Sequence, residues 1–364
     1  MKKLFALILT ILLTVSLLAG CTGTTVVIGN CDCPCKDQPQ AAPVETTPVA
    51  TNPPAEGAVK TGLSVSTKIS DSTSATADAE GAVKYDVTLA AVLVDDNGVI
   101  VDCTIDSIPA TVNFNASGEI TSDLAMAVPT KNELGENYGM VAWGGAVAEW
   151  DAQVEAVAQY AIGKTVDQLK NGDIDMVSGM AKDGTDLSSS ATIYLAGYVY
   201  AIEAAVNNAQ HLGAQSGDEL VLSTMNSVKS SVNATAEAAG TVQLDADIVA
   251  LTKNSGVITS CYIDSLQAKV SFDAAGQLTT DLSAPVQTKN ELGENYGMVA
   301  WAGAIAEWDA QAASFAQYVT GKTAADVAGI AITETTKPAD GTDLATSVTI
   351  AIGGFQALIA KAMQ

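Results

Sequence analysis

The side chains best suited to chemistry lie in a polar and aromatic cluster that occurs twice, each time just before a helical pattern. The second copy, at residues 289–296, repeats the letters of the first, which comprises Lys131, Asn132, Glu133, Glu136, Asn137 and Tyr138. One interpretation is a ligand-binding loop, in which Tyr138 and Trp143 stack on a ligand and Lys131 supplies positive charge. The alternative is an ordered loop whose polar side chains satisfy its own backbone, with Trp150 anchored in the core.

The cluster is part of a longer duplicated stretch. Residues 130–153 and 288–311 carry the same letters except at two places, where Gly144 corresponds to Ala302 and Val147 to Ile305. All four tryptophans of the chain fall within these two stretches. Self-similarity of this kind indicates a tandem repeat, whose fold is interpreted one unit at a time. We therefore predict repeat 1 over residues 62–210 and repeat 2 over residues 211–364.

Each predicted repeat begins with strands. Apolar residues alternate over residues 85–93 and again over residues 99–105, on either side of the turn sequence Asp95-Asp96-Asn97-Gly98. A period of two that flanks Asn-Gly is typical of a β-hairpin, and repeat 2 has an equivalent turn at residues 253–256. A third strand is predicted in each repeat, around Val112 and Phe114 and around Val270 and Phe272.

A helical pattern follows in each repeat. Apolar residues recur at intervals of three and four, at Val147, Trp150, Val154, Val157 and Ala161 in repeat 1 and at Ile305, Trp308, Ala312, Phe315 and Val319 in repeat 2. Gly163 and Gly321 are placed to end these helices, and Thr165 and Thr323 to cap a short helix after them. The predicted fold class is therefore α+β, with two tandem repeats that each pack an antiparallel β-hairpin or meander with helices.

The first 20 residues have the features of a secretory signal, with Lys2 and Lys3 ahead of an apolar run and a small-residue cleavage site. The segment Leu18-Ala19-Gly20-Cys21 resembles the lipobox of bacterial lipoproteins, in which a peptidase cuts before the Cys and a lipid is attached to its thiol. The resemblance implies acylation of Cys21 and anchoring to the extracytoplasmic face of the cell membrane. The alternative is a plain signal peptide with an incidental Cys, or an uncleaved anchor.

Residues 21–61 are rich in Pro, Thr and Ala, which is typical of a semi-extended tether. The cysteines of this tether after Cys21 are Cys31, Cys33 and Cys35. Their spacing matches neither zinc nor iron–sulfur motifs, so a soft metal site, a thiol relay and one disulfide with a spare thiol all stand as interpretations. Cys103 and Cys261 instead lie in phase with the apolar strand faces, which favours buried core thiols. No metal site is predicted in the repeats.

Charge and composition exclude several classes of function. The formal net charge is −24, from 41 acidic against 17 basic residues, and the chain contains no Arg. Nucleic-acid binding requires a basic surface, so nucleic acid is excluded as a partner. The only histidine is His211, at the junction of the repeats, so a Ser-His-Asp triad or a histidine-rich metal site cannot occur in each repeat. This composition favours a carrier or binding module over a hydrolase.

Each repeat ends with a short segment of Asp and hydroxyl side chains, followed by an apolar stretch. The segments are Asp186-Leu187-Ser188-Ser189-Ser190-Ala191-Thr192 and Asp343-Leu344-Ala345-Thr346-Ser347-Val348-Thr349. Periodicity alone predicts a Ser/Thr-rich cap or short strand that leads into a terminal helix.

In spacing, this segment resembles the flavinylation signature of the FMN-binding domain family, through Asp186, Ser189, Ala191 and Thr192. In that family a flavin transferase esterifies the phosphate of FMN to the final Thr, outside the membrane. The resemblance implies that Thr192 is the acceptor, while Asp186 and Ser189 shape the recognition site for the transferase. The corresponding second set is Thr349, Asp343 and Thr346.

The sequence departs from the family pattern at three positions. The family usually has Gly where this chain has Ser190 and Ser347, and Ala where this chain has Val348. Thr349 is therefore the weaker of the two acceptor candidates.

These features predict a membrane-anchored extracytoplasmic lipoprotein with one or two covalently bound FMN groups. It would pass electrons from a membrane donor to an extracytoplasmic acceptor, as a carrier rather than a catalyst, because the flavin brings its own redox chemistry. Attachment through the phosphate also removes the need for an Arg clamp, which this chain cannot build. The alternative is a cofactor-free surface lipoprotein that serves as a ligand-binding or structural module.

Overall fold

A computed structural model of the chain describes residues 57–364. The strands are β1 (Lys60–Lys68), β2 (Gly81–Val94), β3 (Ile100–Phe114), β4 (Ile174–Asp175), β5 (Met180–Ala181), β6 (Glu219–Ser227), β7 (Gly240–Asn254) and β8 (Val257–Phe272). The α-helices are α1 (Lys131–Leu134), α2 (Met140–Gly144), α3 (Trp150–Ala161), α4 (Val166–Asn171), α5 (Asp186–Ser190), α6 (Ala196–Asn207), α7 (Lys289–Leu292), α8 (Met298–Ala302), α9 (Trp308–Val319), α10 (Ala324–Ala328) and α11 (Gly353–Ala362). Short 3-10 helices are Gly135–Tyr138, Gly293–Tyr296 and Leu344–Thr346. The predicted mixture of α and β structure is confirmed for the described residues, which form three antiparallel sheets.

Two three-stranded meanders form the centre of the structure, with strand orders β1-β2-β3 and β6-β7-β8. The predicted hairpin turn joins β2 to β3. The Asp95 carboxylate accepts hydrogen bonds from the backbone N–H groups of Asn97 (2.9 Å) and Val99 (2.8 Å). Gly98 adopts a φ of 79°, which the absence of a side chain permits. The turn chemistry of the sequence therefore fixes the register of this hairpin.

The third strand of each sheet differs from the prediction. Val112 and Phe114 belong to β3 itself, which continues without a break through Pro109. Pro109 is tolerated because β3 lies at the edge of its three-stranded sheet, where the missing N–H leaves no ladder bond unpaired. The third strand is β1, which precedes the hairpin in the chain. In the second sheet β8 likewise contains both Val270 and Phe272, and β6 is the third strand.

One face of each sheet packs against the other sheet. Alternate side chains of β2, including Tyr85, Val87 and Leu89, enter a hydrophobic core that also contains side chains from β6, β7 and β8. Within this core the rings of Phe114 and Phe272 stack with their centroids 4.4 Å apart. The first half of the described chain (residues 57–210) and the second half (residues 211–364) therefore bury apolar surface against each other.

Hydrogen bonds cross between the halves at corresponding positions. The backbone N–H of Ala75 donates to the Gly276 carbonyl (2.8 Å), and that of Ala234 donates to the Gly118 carbonyl (2.8 Å). The Tyr85 hydroxyl, whose pKa is raised by burial, donates to the Val242 carbonyl (2.8 Å). Residues Pro53–Gln364 accordingly form one compact unit.

Helices cover the other face of each sheet. Ala90, Val92 and Ile105 pack against α3, α5 and α6 on one side of the molecule, and Val249 and Leu251 pack against α9 and α11 on the other. The order through the molecule is therefore helices, sheet, sheet, helices.

The helix after the duplicated cluster begins later than predicted. Val147 is 63% exposed and precedes α3, and Ile305 stands in the same position before α9. The Glu149 carboxylate accepts the backbone N–H groups of Met140 (2.8 Å) and Val141 (3.0 Å) and so caps the start of α2. The Glu149 backbone is extended, and α3 therefore begins only at Trp150. The predicted capping boxes of α4 and α10 are confirmed, at Thr165 with Gln168 and Thr323 with Asp326.

Candidate functional site

The predicted attachment segment of the first half forms one turn of helix followed by extended chain. Thr185 caps α5, and the Ser189 hydroxyl donates to the main-chain carbonyl of Asp186 (2.7 Å). Ala191 is extended (φ −135°, ψ 113°) and buried, so the chain leaves the helix there and carries Thr192 to the surface, where it is exposed. Buried Ala191 thus directly precedes the exposed acceptor candidate Thr192.

The corresponding segment of the second half has a similar course with a tighter helical turn. The Thr346 hydroxyl donates to the main-chain carbonyl of Asp343 (2.6 Å) at the start of the 3-10 helix. Val348 is fully buried and Thr349 is half-buried. In both halves the Asp side chain is exposed and the Ser or Thr three residues later bonds to the backbone of that Asp, not to its carboxylate.

A buried glutamine in each half positions the acceptor threonine. Gln153 is fully buried in α3, and its Oε1 atom accepts the backbone N–H of Thr192 (2.8 Å) and its hydroxyl (3.2 Å). Gln311 accepts the N–H (2.7 Å) and hydroxyl (3.1 Å) of Thr349 in the same way. The amide nitrogen of Gln153 donates to the Ala148 carbonyl (2.8 Å), so every polar group of this side chain is used.

Sequence reasoning missed these glutamines as functional residues. The available signal was their position, because Gln153 and Gln311 are the last residues of the duplicated stretch. Through them the two segments of each half that carry the functional predictions come together: the duplicated stretch supplies the glutamine, and the terminal segment supplies the threonine. The chemical consequence is a hydroxyl whose hydrogen is engaged by a buried amide oxygen.

Each half also has an exposed tryptophan, one short loop before the glutamine-bearing helix. Trp143 in α2 and Trp301 in α8 are each 90% exposed. The Trp143 ring covers Gly139, where an added methyl group would lie 2.3 Å from the ring atom Cδ1, and Gly297 has the same relation to Trp301. These glycines have φ values of 81° and 82°. Two large aromatic surfaces are therefore held in place without being buried.

The other aromatic residues of the duplicated stretch are structural. Trp150 is buried, as predicted, and its indole N–H donates to the Tyr198 hydroxyl (2.9 Å). Lys131 does not face a ligand site: it is buried, with its ammonium 5.1 Å from the Trp150 ring centroid and 3.4 Å from an Asp86 oxygen. Burial alone would lower the pKa of Lys131, but Asp86 and Tyr138 raise it above its ordinary value. This lysine therefore stays charged and pairs with the exposed carboxylate of Asp86.

The remaining polar side chains of the cluster satisfy nearby backbone groups. Thr130 and Glu133 form a capping box at α1, and the Asn132 side chain donates to the Ile105 carbonyl (2.9 Å). Thr288 and Asn290 make the equivalent bonds in the second half. The interpretation of an ordered loop accounts for these contacts, while Glu136 and Asn137 are exposed, as is Trp143.

Buried carboxylates fix the start of the duplicated stretch. Asp264 Oδ1 accepts the N–H groups of Ser265 (2.7 Å) and Asn290 (3.2 Å), and Asp106 bonds to Ser107 and Asn132 in the same manner. Burial raises the pKa of Asp264 to about 6. The hydrogen bonds thus hold the Asp264 side chain in place, while burial makes its charged form less favourable.

We expect Asp264→Asn to become more stable relative to the wild type as the pH rises from about 4 to 7. The folded-state pKa of about 6 lies above the ordinary value of 3.8. Protonated Asp264 therefore stabilises the folded wild type fully below a pH of 3.8, and this contribution is lost as the pH rises through about 6. A shift of about two units corresponds to roughly 3 kcal/mol, which urea denaturation at the two pH values measures.

The matched control is Asp281→Asn. The exposed Asp281 carboxylate has its pKa lowered by the hydroxyl and N–H of Ser283, so its variant should change in the opposite direction with pH. A pH-independent difference between Asp264→Asn and the wild type would contradict the prediction.

Cys103 and Cys261 are buried free thiols, as their phase predicts. Each packs with the helices of its own half. Burial raises the pKa of both thiols, that of Cys261 to about 12. Both groups are therefore protonated and unreactive at neutral pH in the folded protein.

Two cavities lie in the second half. One of about 730 Å³ lies between the connection at Gln210–Leu212, β8 and α9, and none of the predicted attachment residues lines it. The other, of about 600 Å³, lies beside α10 and is bordered by Thr342 and Leu344, next to the second attachment segment. Neither cavity contacts the exposed tryptophans.

Several predicted features lie outside the described residues, namely the signal peptide, Cys21 and the Cys31, Cys33 and Cys35 group. Within residues 57–364 no helix is long and apolar enough to cross a membrane. The same range contains no group of three His, Cys, Asp or Glu residues placed to hold a metal ion.

Comparison with known proteins identifies no relative of this chain. No protein-family model, curated protein or solved structure matches it.

Proposed function

We propose that this chain is an extracytoplasmic lipoprotein, anchored through Cys21, that carries electrons on FMN covalently bound to two tandem repeats of one unit. Thr192 and Thr349 are the acceptors, with Asp186, Ser189, Asp343 and Thr346 contributing to recognition by a flavin transferase. A membrane component donates the electrons and an extracytoplasmic partner accepts them. The protein itself acts as a carrier rather than an enzyme.

The observation that carries the proposal is the setting of the two threonine hydroxyls. Each belongs to a residue at the surface, Thr192 exposed and Thr349 half-buried, and each donates a hydrogen bond to a buried glutamine. Hydroxyls that serve only the fold have no need of this repeated arrangement. The corresponding contacts made by Gln153 and Gln311 also support the tandem repeat.

The composition of the chain fits both the phosphate and the ring of a phosphate-linked flavin. A buried Arg clamp for the phosphate is impossible because the chain contains no Arg, and an ester bond to threonine makes such a clamp unnecessary. For the ring, the chain offers exposed aromatic side chains, among them Tyr194 and the two tryptophans. When bound, FMN supplies the redox chemistry, and the chain's residues bind and orient it.

Attachment requires an external catalyst. The hydrogen-bond partner of the Thr192 hydroxyl is an amide oxygen, which orients the O–H group but is not a base. The step joins Thr192 Oγ1 to the flavin phosphate of a flavin dinucleotide. The hydroxyl proton is lost and the nucleoside monophosphate leaves. The base and the flavin donor both belong to the transferase reaction.

Intact-mass measurement of the mature protein tests the proposal. The protein is secreted from a host that makes the flavin transferase. We expect a mass that exceeds the lipidated polypeptide by one or two FMN groups, each less one water, and flavin absorbance that survives denaturation and precipitation. A colourless protein whose mass equals polypeptide plus acyl chains would overturn the flavin assignment.

The exposed tryptophans favour one second candidate, a cofactor-free binding module. Trp143 and Trp301, together with the exposed Val147 and Ile305, form two similar apolar surfaces that a ligand or partner protein can cover. This candidate predicts a colourless protein even with the transferase present, so the same mass measurement separates the two functions.

A further inference from the structure

The surface beside Thr192 is aromatic and apolar. Along residues 191–195 the side chains alternate, with Ala191 and Leu195 buried while Thr192 and Tyr194 are exposed. Thr192 and Tyr194 are therefore two exposed residues of one short surface segment, separated only by the half-buried Ile193. Tyr194 is 58% exposed, and the neighbouring β4–β5 hairpin adds Val177, which is 96% exposed.

The Tyr194 ring is fixed in position although it is exposed. It covers Gly179, where an added methyl group would lie 1.9 Å from the ring atom Cε2. The backbone N–H of Leu195 donates to the Gly179 carbonyl (2.6 Å), which holds the hairpin and the start of α6 together. One edge of the ring thus lies against Gly179 and the other edge lies near Gly197, while more than half of the residue remains exposed.

The second half does not have this surface. The residues corresponding to Val177, Gly179, Met180 and Tyr194 are Glu334, Thr336, Lys337 and Ala351. Thr336 keeps a positive φ of 57°, close to the 76° of Gly179, which is strained for a β-branched residue. Its side chain lies against Gly353, where an added methyl group would be 2.9 Å from the Thr336 Cβ atom. This side chain occupies the space that a ring at position 351 would need.

We propose that Tyr194 is the stacking surface for the isoalloxazine ring carried on Thr192. The inference rests on the proposed attachment of FMN and names the residue that orients the ring. A flexible linkage from Thr192 keeps the ring at high local concentration beside Tyr194, so even the modest energy of an offset aromatic stack favours the stacked position. The two flavins are therefore unequal, since the one on Thr349 has no tyrosine beside it.

The test uses the full chain with Thr349→Ala, so that flavin is attached only to Thr192. Adding Tyr194→Ala is expected to raise the fluorescence of the bound flavin several-fold, because a stacked phenol quenches the excited flavin. Tyr200→Ala is the matched control: Tyr200 is 52% exposed in α6 and packs near Lys170, away from Gly179. This control should leave the flavin fluorescence unchanged.

A second measurement leaves Tyr194 intact. Flavin on Thr192 in the Thr349→Ala protein should be quenched less by iodide than flavin on Thr349 in the Thr192→Ala protein. The stacking proposal would be overturned if Tyr194→Ala left the fluorescence of the attached flavin unchanged, or if iodide quenched the flavin equally at the two sites. Neither result would contradict the attachment of flavin. Absence of attached flavin from both single variants and from the wild type would instead overturn the proposed function.

Discussion

Simultaneous replacement of Thr192 and Thr349 by Ala is expected to remove all covalently bound flavin from the protein. The phosphoester needs a side-chain oxygen, and alanine supplies none. Thr192→Ala alone should remove the larger share of the bound flavin, because Thr192 is exposed and Thr349 is half-buried. Thr349 also follows Val348, where the FMN-binding family has Ala. Intact mass and flavin absorbance after precipitation, for proteins produced with the transferase, measure the flavin per chain.

The fold should survive these substitutions. The backbone N–H of residue 192 keeps its bond to Gln153, and only one hydroxyl bond is lost, worth about 1 kcal/mol. Ser190→Ala is the matched control, since it removes a neighbouring exposed hydroxyl and should retain full flavin. Undiminished flavin in the double Thr variant would show that the hydroxyls are not the acceptors.

Phe114→Ala is expected to destabilise both halves of the molecule together, by about 3–5 kcal/mol. Phe114 is fully buried and stacks on Phe272 across the boundary between the two sheets. Removal of its ring leaves a cavity in the core to which both halves contribute. Urea denaturation gives the change in the free energy of unfolding.

Two buried thiols report on the halves separately. Cys103 and Cys261 each lie under the helices of one half and become reactive only on unfolding. Mass-spectrometric mapping of labelled peptides should show both thiols exposed at the same urea concentration in the wild type, and both shifted equally by Phe114→Ala. Earlier labelling of Cys103 alone would mean that the halves unfold independently. Phe114→Leu, which keeps most of the apolar volume, should shift both midpoints by less.

Local chemistry explains which parts of the fold were predictable. The Asn97-Gly98 turn and the Thr165 cap depend on a few adjacent residues, so their sequence determines their structure. The strand pattern also identified one buried face of β2, although Ala90, Val92 and Val94 on the other face are buried too. It did not identify what buries them, because alternation defines an apolar face and says nothing about its partner. The packing of sheet against sheet therefore emerged only from the structure.

In the candidate site, too, the local features were predictable and the long-range contacts were not. Spacing placed Thr192 and Asp186 in one segment, but the bond from Thr192 to Gln153 links residues 39 positions apart. The role of Lys131 stayed open in the sequence, because a charged residue next to aromatic rings has the same pattern at a ligand site and in an ion pair such as that with Asp86. Long-range pairing decides between these, and a single sequence does not contain it.

The joined sheets have a consequence for how such a chain arises. On the proposed duplication, an ancestral single unit would have had an uncovered sheet face of the kind that Val87 and Leu89 now bury. Self-association about a two-fold axis would cover it, with the Ala75–Gly276 and Ala234–Gly118 bonds as its symmetric pair. Fusion of two such subunits turns a homodimer into a single chain whose folding no longer depends on concentration. It also allows the sequence of one copy to change separately, and residues 334–337 do differ from their counterparts in the first half.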